Sequence, residues 1–222
     1  MKKPITYFIG GIASDERIFR YQLSAIENSV YLPFPKHDKQ DTMHTYVQKF
    51  IPLIDTSLPF NLVGMSMGGI MTMELINHYI QPQKVVLISS IKSRTEMPFI
   101  LKQMKYSNMH KLLPGRGFIG AIQFGSLFKR EILKEPSQRK MAISMAKNNN
   151  PSFLYWCVNA IVKWNGTDDY RKDIIHIHGT KDEMFPIRNI KNAIVIKDGS
   201  HQMMLNKYKE VNSILKQELE LD

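Results

Sequence analysis

The chain has 222 residues, 43% of them apolar and 23% charged, an ordinary globular usage that suits one core and excludes a disordered polypeptide. One cysteine, Cys157, excludes an internal disulfide framework and a cysteine-built zinc site, and the expected location is cytoplasmic. The net charge of +10 is local: from Lys92 to Lys172 there are 15 Lys and Arg against 5 Asp and Glu, and the remainder holds 15 of each.

In chain order, the apolar run Ile5 to Ile9 ends on Gly10-Gly11 and predicts a buried strand feeding a tight turn. Two lysines before this run resemble the start of a signal peptide, but Pro4, the glycine pair and the acidic Asp15-Glu16 suit a first strand better. A helix capped by Ser14 should follow, with Ile18, Phe19, Leu23 and Ile26 on one face. Val30 to Phe34, closed by Pro35, reads as a second strand, and Tyr46, Val47, Phe50, Ile51 and Ile54 fall at helical spacing from Thr42. A strand over Phe60 to Gly64, a helix over Gly68 to Tyr79 and a strand over Lys84 to Ser89 complete a regular alternation, the pattern of a parallel sheet covered by helices.

The alternation breaks after Ser90. Ser93 to about Tyr170 contains helix-like stretches divided by Pro98, Pro114-Gly115, Pro136 and Asn148-Asn149-Asn150-Pro151, with no good strand. Strands resume at Ile174 to His178 and Ala193 to Ile196, and a helix over Met203 to Leu219 closes the chain. The expected organisation is a core of residues 1–92 and 171–222 with a helical lid insertion over 93–170. No apolar run reaches the ~20 residues that span a bilayer.

Gly64-Met65-Ser66-Met67-Gly68 matches G-x-S-x-G between a strand and a helix, where the serine side chain must project above the sheet edge. The flanking glycines suit a turn too crowded for a Cβ, and the following helix aims its free N–H groups at the same point. Ser66 is therefore the candidate nucleophile, and it needs a base and an orienting carboxylate. His201, after the last strand, is the best-placed base. Asp182, in the loop beyond the preceding strand, is the preferred acid, with Glu183 and Asp198 as rivals. Backbone N–H groups of Met67 and of Ile12, or of Ala13 instead, are the candidate oxyanion donors. His176 and His178 share a strand face and suit a hydrogen-bonded position under the site better than a metal pair, while His37, His44, His78 and His110 read as surface or lid residues. No metal and no cofactor are expected.

These residues resemble the α/β-hydrolase superfamily, in particular the small lidded serine esterases that include the carboxylesterases acting on acyl-carrier-protein methyl esters. The resemblance rests on Gly64-Met65-Ser66-Met67-Gly68-Gly69, on Gly179-Thr180-Lys181-Asp182 with Pro186, and on Gly199-Ser200-His201. It departs at Gly10-Gly11, where the family usually carries His-Gly. It implies a three-layer α/β-hydrolase fold of about six parallel strands beginning at the family's third strand, without the leading hairpin. The expected activity is hydrolysis of a carboxylic ester or thioester. Phe99, Met104, Phe118, Phe124, Phe153, Trp156 and Trp164 of the insertion are substrate-pocket candidates, although each could equally pack the insertion onto the sheet. The basic segment is either a solvated surface or a face for an anionic acyl carrier. No nucleic-acid partner is expected, because no recognition signature accompanies the charge. The alternative is a non-enzymatic ligand- or partner-binding protein on the same fold.

Overall fold

Runs of aliphatic and β-branched residues form six strands: β1 (Ile5–Ile9), β2 (Ser29–Leu32), β3 (Phe60–Met65), β4 (Lys84–Ile88), β5 (Ile175–Lys181) and β6 (Ile194–Ser200). The computed structural model describes residues 3–107, 136–166 and 168–220. All strand pairs are parallel, in one sheet of order β2-β1-β3-β4-β5-β6. The chain leaves β1 in one direction to reach β2 and returns past it to β3, so the crossovers diverge between β1 and β3. A crevice opens at such a switch point, beyond the carboxyl ends of the strands. Ile9 of β1 lies opposite Gly64 of β3, which puts Gly10-Gly11 beside the Ser66 turn.

The two faces of the sheet are read off alternate residues. Tyr7, Ile9, Leu62, Val85 and Leu87 enter one buried cluster, and Phe8, Val63, Met65, Val86 and Ile88 enter the other. Over the first face pack α2 (Met43–Val47), α3 (Met67–His78) and α6 (Pro151–Lys163), and over the second pack α1 (Arg20–Leu23), α7 (Met203–Asn206) and α8 (Tyr208–Glu220). Between Ser93 and Tyr170 the described residues form a 3-10 turn at Arg94–Glu96, α4 (Phe99–Ser107), α5 (Pro136–Lys147) and α6, and no strand. Phe153, Trp156, Cys157, Ala160 and Ile161 of α6 belong to the same buried cluster as α2 and α3. No helix among the described residues is long and apolar enough to cross a membrane.

Several boundaries differ from expectation for local reasons. Asp15, not Ser14, caps the first helical segment, because its carboxylate accepts from the Arg17 amide while the Ser14 hydroxyl donates backward to the Gly11 carbonyl at 2.8 Å. That segment begins as a 3-10 turn (Glu16–Phe19) and only then becomes α1. β2 stops at Leu32 because Pro33 has no N–H for the ladder. The helix from Thr42 tightens to 3-10 geometry over Gln48–Leu53, where Pro52 interrupts the α pattern. The final helix is two, α7 and α8, separated at Lys207. Leu62 is fully buried at the centre of β3, so Leu62→Ala should cost about 2–5 kcal/mol in urea unfolding without moving the transition's slope.

Candidate active site

Ser66 occupies the single residue between β3 and α3 and takes φ 53° and ψ −120°, a left-handed conformation that L side chains rarely adopt. The turn is closed by contacts too tight for side chains. A Cβ on Gly68 would lie 2.1 Å from the Ile9 carbonyl oxygen, and one on Gly64 would lie 2.6 Å from the Cα of Gly69. The Ser66 amide donates to the Ile88 carbonyl at 3.0 Å, and the Ser66 carbonyl accepts from the Ser90 hydroxyl at 2.7 Å.

The strand ends bring three side chains into one line. His201 Nε2 lies 2.9 Å from Ser66 Oγ, and His201 Nδ1 lies 3.0 Å from each oxygen of Asp182. Near their carboxyl ends β5 and β6 approach closely where Gly179 meets Gly199, since a Cβ on Gly179 would sit 2.1 Å from the Gly199 carbonyl oxygen. Asp182 is buried, and its Oδ1 accepts from the Met184 and Phe185 amides, both at 2.9 Å. Burial pushes its pKa upward, but the His201 charge, the His201 hydrogen bond and the Phe185 amide outweigh that and hold the carboxyl below its ordinary value. The rivals are elsewhere: Asp198 pairs with Lys181 at 2.9 Å on the surface, and Glu183 is exposed. The ring of Phe185 stands edge-on to the His201 imidazole, with centroids 5.7 Å apart.

Met67 opens α3, where first-turn amides have no acceptor within the helix. The turn after β1 abuts Ser66, for a Cβ on Gly11 would lie 3.1 Å from that of Ser66. This turn places Ala13 at φ 60° and closes with the Ser14 amide donating to the Gly11 carbonyl at 3.3 Å. Ile12 and Ala13 pack against Ala146 of α5 and Leu154 of α6, so these two helices cover the turn after β1. Sequence reading missed Ala146 and Leu154, which carry no mark beyond being small or apolar.

The aromatic candidates of the insertion lie differently. Phe153 and Trp156 stack on each other and meet Phe34 and Tyr46, and the Trp156 indole N–H donates to the Asp41 carbonyl at 2.8 Å. Trp164 gives its N–H to Glu74 at 2.9 Å. These are contacts that fix α6 to the core. Phe99 is exposed and Met104 half-buried on α4, while Phe118, Phe124 and His110 lie outside the described residues.

Beneath the three aligned side chains runs a second polar chain. His176 Nε2–H donates to the Ser90 carbonyl at 3.1 Å, and His178 Nε2–H donates to the Phe185 carbonyl at 2.7 Å, with His178 Nδ1 at 3.4 Å from His176 Nε2. His178 Nε2 is also 3.4 Å from Asp182 Oδ2. Ser90 therefore connects the Ser66 turn to the β5 histidines, a role signalled in sequence only by hydrophilic residues closing the apolar strand β4.

Comparison of the sequence with family models and with curated proteins finds no match. In three dimensions the chain is similar to solved structures of several named activities. MenH from S. aureus matches with a TM-score of 0.76 at 16% identity, over 98% of this chain and 96% of that one. An esterase from Thermogutta terrifontis matches at 0.74 and 14% identity, covering 99% and 90% of the two chains. A bromoperoxidase from Bacillus anthracis matches at 0.71 and 21% identity, covering 99% and 92%. The chain has the α/β-hydrolase fold, six parallel strands with flanking helices, as the motifs implied. Proteins of different named activities share that fold, so chemistry has to be argued from the site.

Burial, then the nearby Lys92 and His178, hold the pKa of His176 well below its ordinary value, and burial depresses that of His178. The folded protein keeps both rings neutral where the unfolded chain takes up protons, so stability should fall as pH drops below about 6.5, by up to about 1.4 kcal/mol per unit for each ring. Asp182 does not contribute in that window, since its stabilisation is lost only as pH falls below the ordinary carboxylate value. Urea midpoints at pH 7 and pH 5 should therefore differ less for His176→Gln than for the wild type.

Proposed function

We propose that this protein is a serine hydrolase that cleaves a carboxylic ester or thioester through an acyl-enzyme on Ser66. The observation that carries the reading is the unbroken Ser66–His201–Asp182 line, 2.9 Å and 3.0 Å long in its two links, at the carboxyl ends of the strands and the amino end of α3. A serine hydroxyl is a poor nucleophile until a base takes its proton. His201 Nε2 accepts that proton as Oγ attacks the acyl carbon, and the buried Asp182 carboxylate fixes the opposite nitrogen as the donor and stabilises the imidazolium. The oxyanion is received by the Met67 amide and by the Ile12 amide of the adjoining turn, both preorganised before charge develops. His201 then protonates the departing alkoxide or thiolate. Water, deprotonated by the same ring, releases the acid and restores Ser66.

The acyl group would lie under Ala146 and Leu154, which already adjoin the oxyanion turn. The excess of positive charge between Lys92 and Lys172 supports delivery of that group on an anionic carrier. Rates on carrier-bound acyl groups should then fall as salt rises while rates on neutral esters do not, and indifference to salt would remove the carrier from the proposal.

The decisive measurement is turnover of a graded series of nitrophenyl esters and acyl thioesters. Ser66→Ala should lose at least about a thousandfold in kcat while remaining folded, and Asp182→Asn about ten-thousandfold with little change in KM. A Ser66→Ala protein with wild-type turnover, or a wild type that a serine-directed fluorophosphonate fails to label, would refute the proposal.

A further inference from the structure

At the far end of α3 from Ser66, three side chains that the proposed chemistry does not use meet at one point. Glu74 is buried at 7% exposure, and His78 follows it by one helical turn. His44 comes across from α2. His44 Nδ1 lies 2.9 Å and His78 Nε2 3.5 Å from the same oxygen, Glu74 Oε1, and the three candidate donor atoms all lie within 4.8 Å of one another. Around a tetrahedral zinc at its usual nitrogen and oxygen bond lengths, neighbouring donors stand about 3.3 Å apart. Two of the separations already bracket that value, and the half-exposed imidazoles have room to close the third.

The surroundings are those of a supported ligand set. Ligating histidines and carboxylates are oriented by hydrogen bonds from their other polar atoms. Here the second carboxylate oxygen, Glu74 Oε2, accepts from the Trp164 indole at 2.9 Å. His44 Nε2 lies 2.6 Å from the Tyr79 hydroxyl, which is itself held by the Gln48 side chain at 2.8 Å. A buried carboxylate normally requires a cation beside it. Among the described residues no lysine or arginine pairs with Glu74, whose partners are the two imidazoles and the indole.

We propose that His44, Glu74 and His78 form a zinc-binding site with one coordination position open to water. Two imidazoles and one carboxylate make a neutral-plus-anionic donor set suited to a divalent cation of zinc's type. Beyond that closure, binding requires a tautomer change at His44: Nδ1 gives up its proton to become a ligand, and Nε2 becomes the N–H that hydrogen-bonds the Tyr79 hydroxyl. Glu74 lies eight residues beyond Ser66 on α3, about 12 Å along the helix axis, so the ion would take no part at the nucleophile. It would instead link α2 to α3 and, through Trp164, to the end of α6 in the insertion.

The test uses untagged full-length protein stripped with a chelator and titrated with zinc against a chromophoric competitor. One equivalent should bind, and the thermal midpoint should rise with free zinc. His44→Gln and His78→Gln should each weaken binding at least tenfold. Tyr79→Phe keeps all three ligands and removes the hydroxyl that orients His44, along with its exposed bond to Gln48, so it should weaken binding by about tenfold while leaving the zinc-free midpoint close to that of the wild type. Absence of saturable binding to the wild type would overturn the site, as would a His44→Gln/His78→Gln double variant that holds zinc as tightly as the wild type.

Discussion

Everything assembled above the sheet depends on one backbone conformation that Ser66 does not prefer. A non-glycine residue at φ 53° and ψ −120° costs on the order of 1–3 kcal/mol, and the surrounding structure has to over-determine it. Four hydrogen bonds do so: the Ser66 amide donates to Ile88, and its carbonyl accepts from the amides of Gly69 and Ile70 and from the Ser90 hydroxyl. Glycines at positions 64 and 68 let β1, β3 and α3 approach closely enough for those bonds to close. The result points Oγ away from the sheet and toward His201. Neither the turn after β1 nor the loops that carry Asp182 and His201 would have anything to converge on if this residue relaxed.

The same constraint explains an otherwise costly choice in β5. On the face of that strand that carries Val85 and Leu87 in β4, aliphatic side chains would pack well, yet His176 and His178 stand there. Burying two imidazoles costs free energy unless their hydrogens find acceptors. The acceptors they find are the carbonyl of Ser90, whose side chain bonds Ser66, and the Phe185 carbonyl, within the loop that presents Asp182. The pair therefore ties together the elements that carry Ser66 and Asp182. A pair of leucines would fill the space without fixing it.

What was legible in the sequence follows from how local each signal is. The strands were readable because a parallel sheet buried on both faces demands short continuous apolar runs, and the meeting of Ser66, Asp182 and His201 was foreseeable because each sits at a punctuated strand end. Ser14 was mistaken for a cap because the choice between it and Asp15 depends on which hydroxyl or carboxylate is already engaged, which no spacing reveals. Trp156 and Trp164 look alike in sequence to pocket residues, and only their indole hydrogen bonds to Asp41 and Glu74 show that they anchor α6. The meeting of His44 with Glu74 and His78 depends on how α2 docks on α3, thirty positions apart along the chain. By contrast, Glu74 and His78 alone form an ordinary helical pair.

The anchoring of α6 also limits how this protein could diversify. With Phe153, Trp156, Ala160 and Trp164 sharing one apolar interior with Tyr46, Phe50 and Leu75, the insertion is partly foundation and only partly roof. Exchanging it wholesale for another protein's would remove α6 from beside α2 and α3 on that face of the sheet. Ala146 of α5 and Leu154 of α6 stand apart from that interior, in a small buried cluster with Ala13 and Ile12 of the turn after β1. A point substitution at either would alter the cover of that turn, whereas replacing α6 whole would disturb the core.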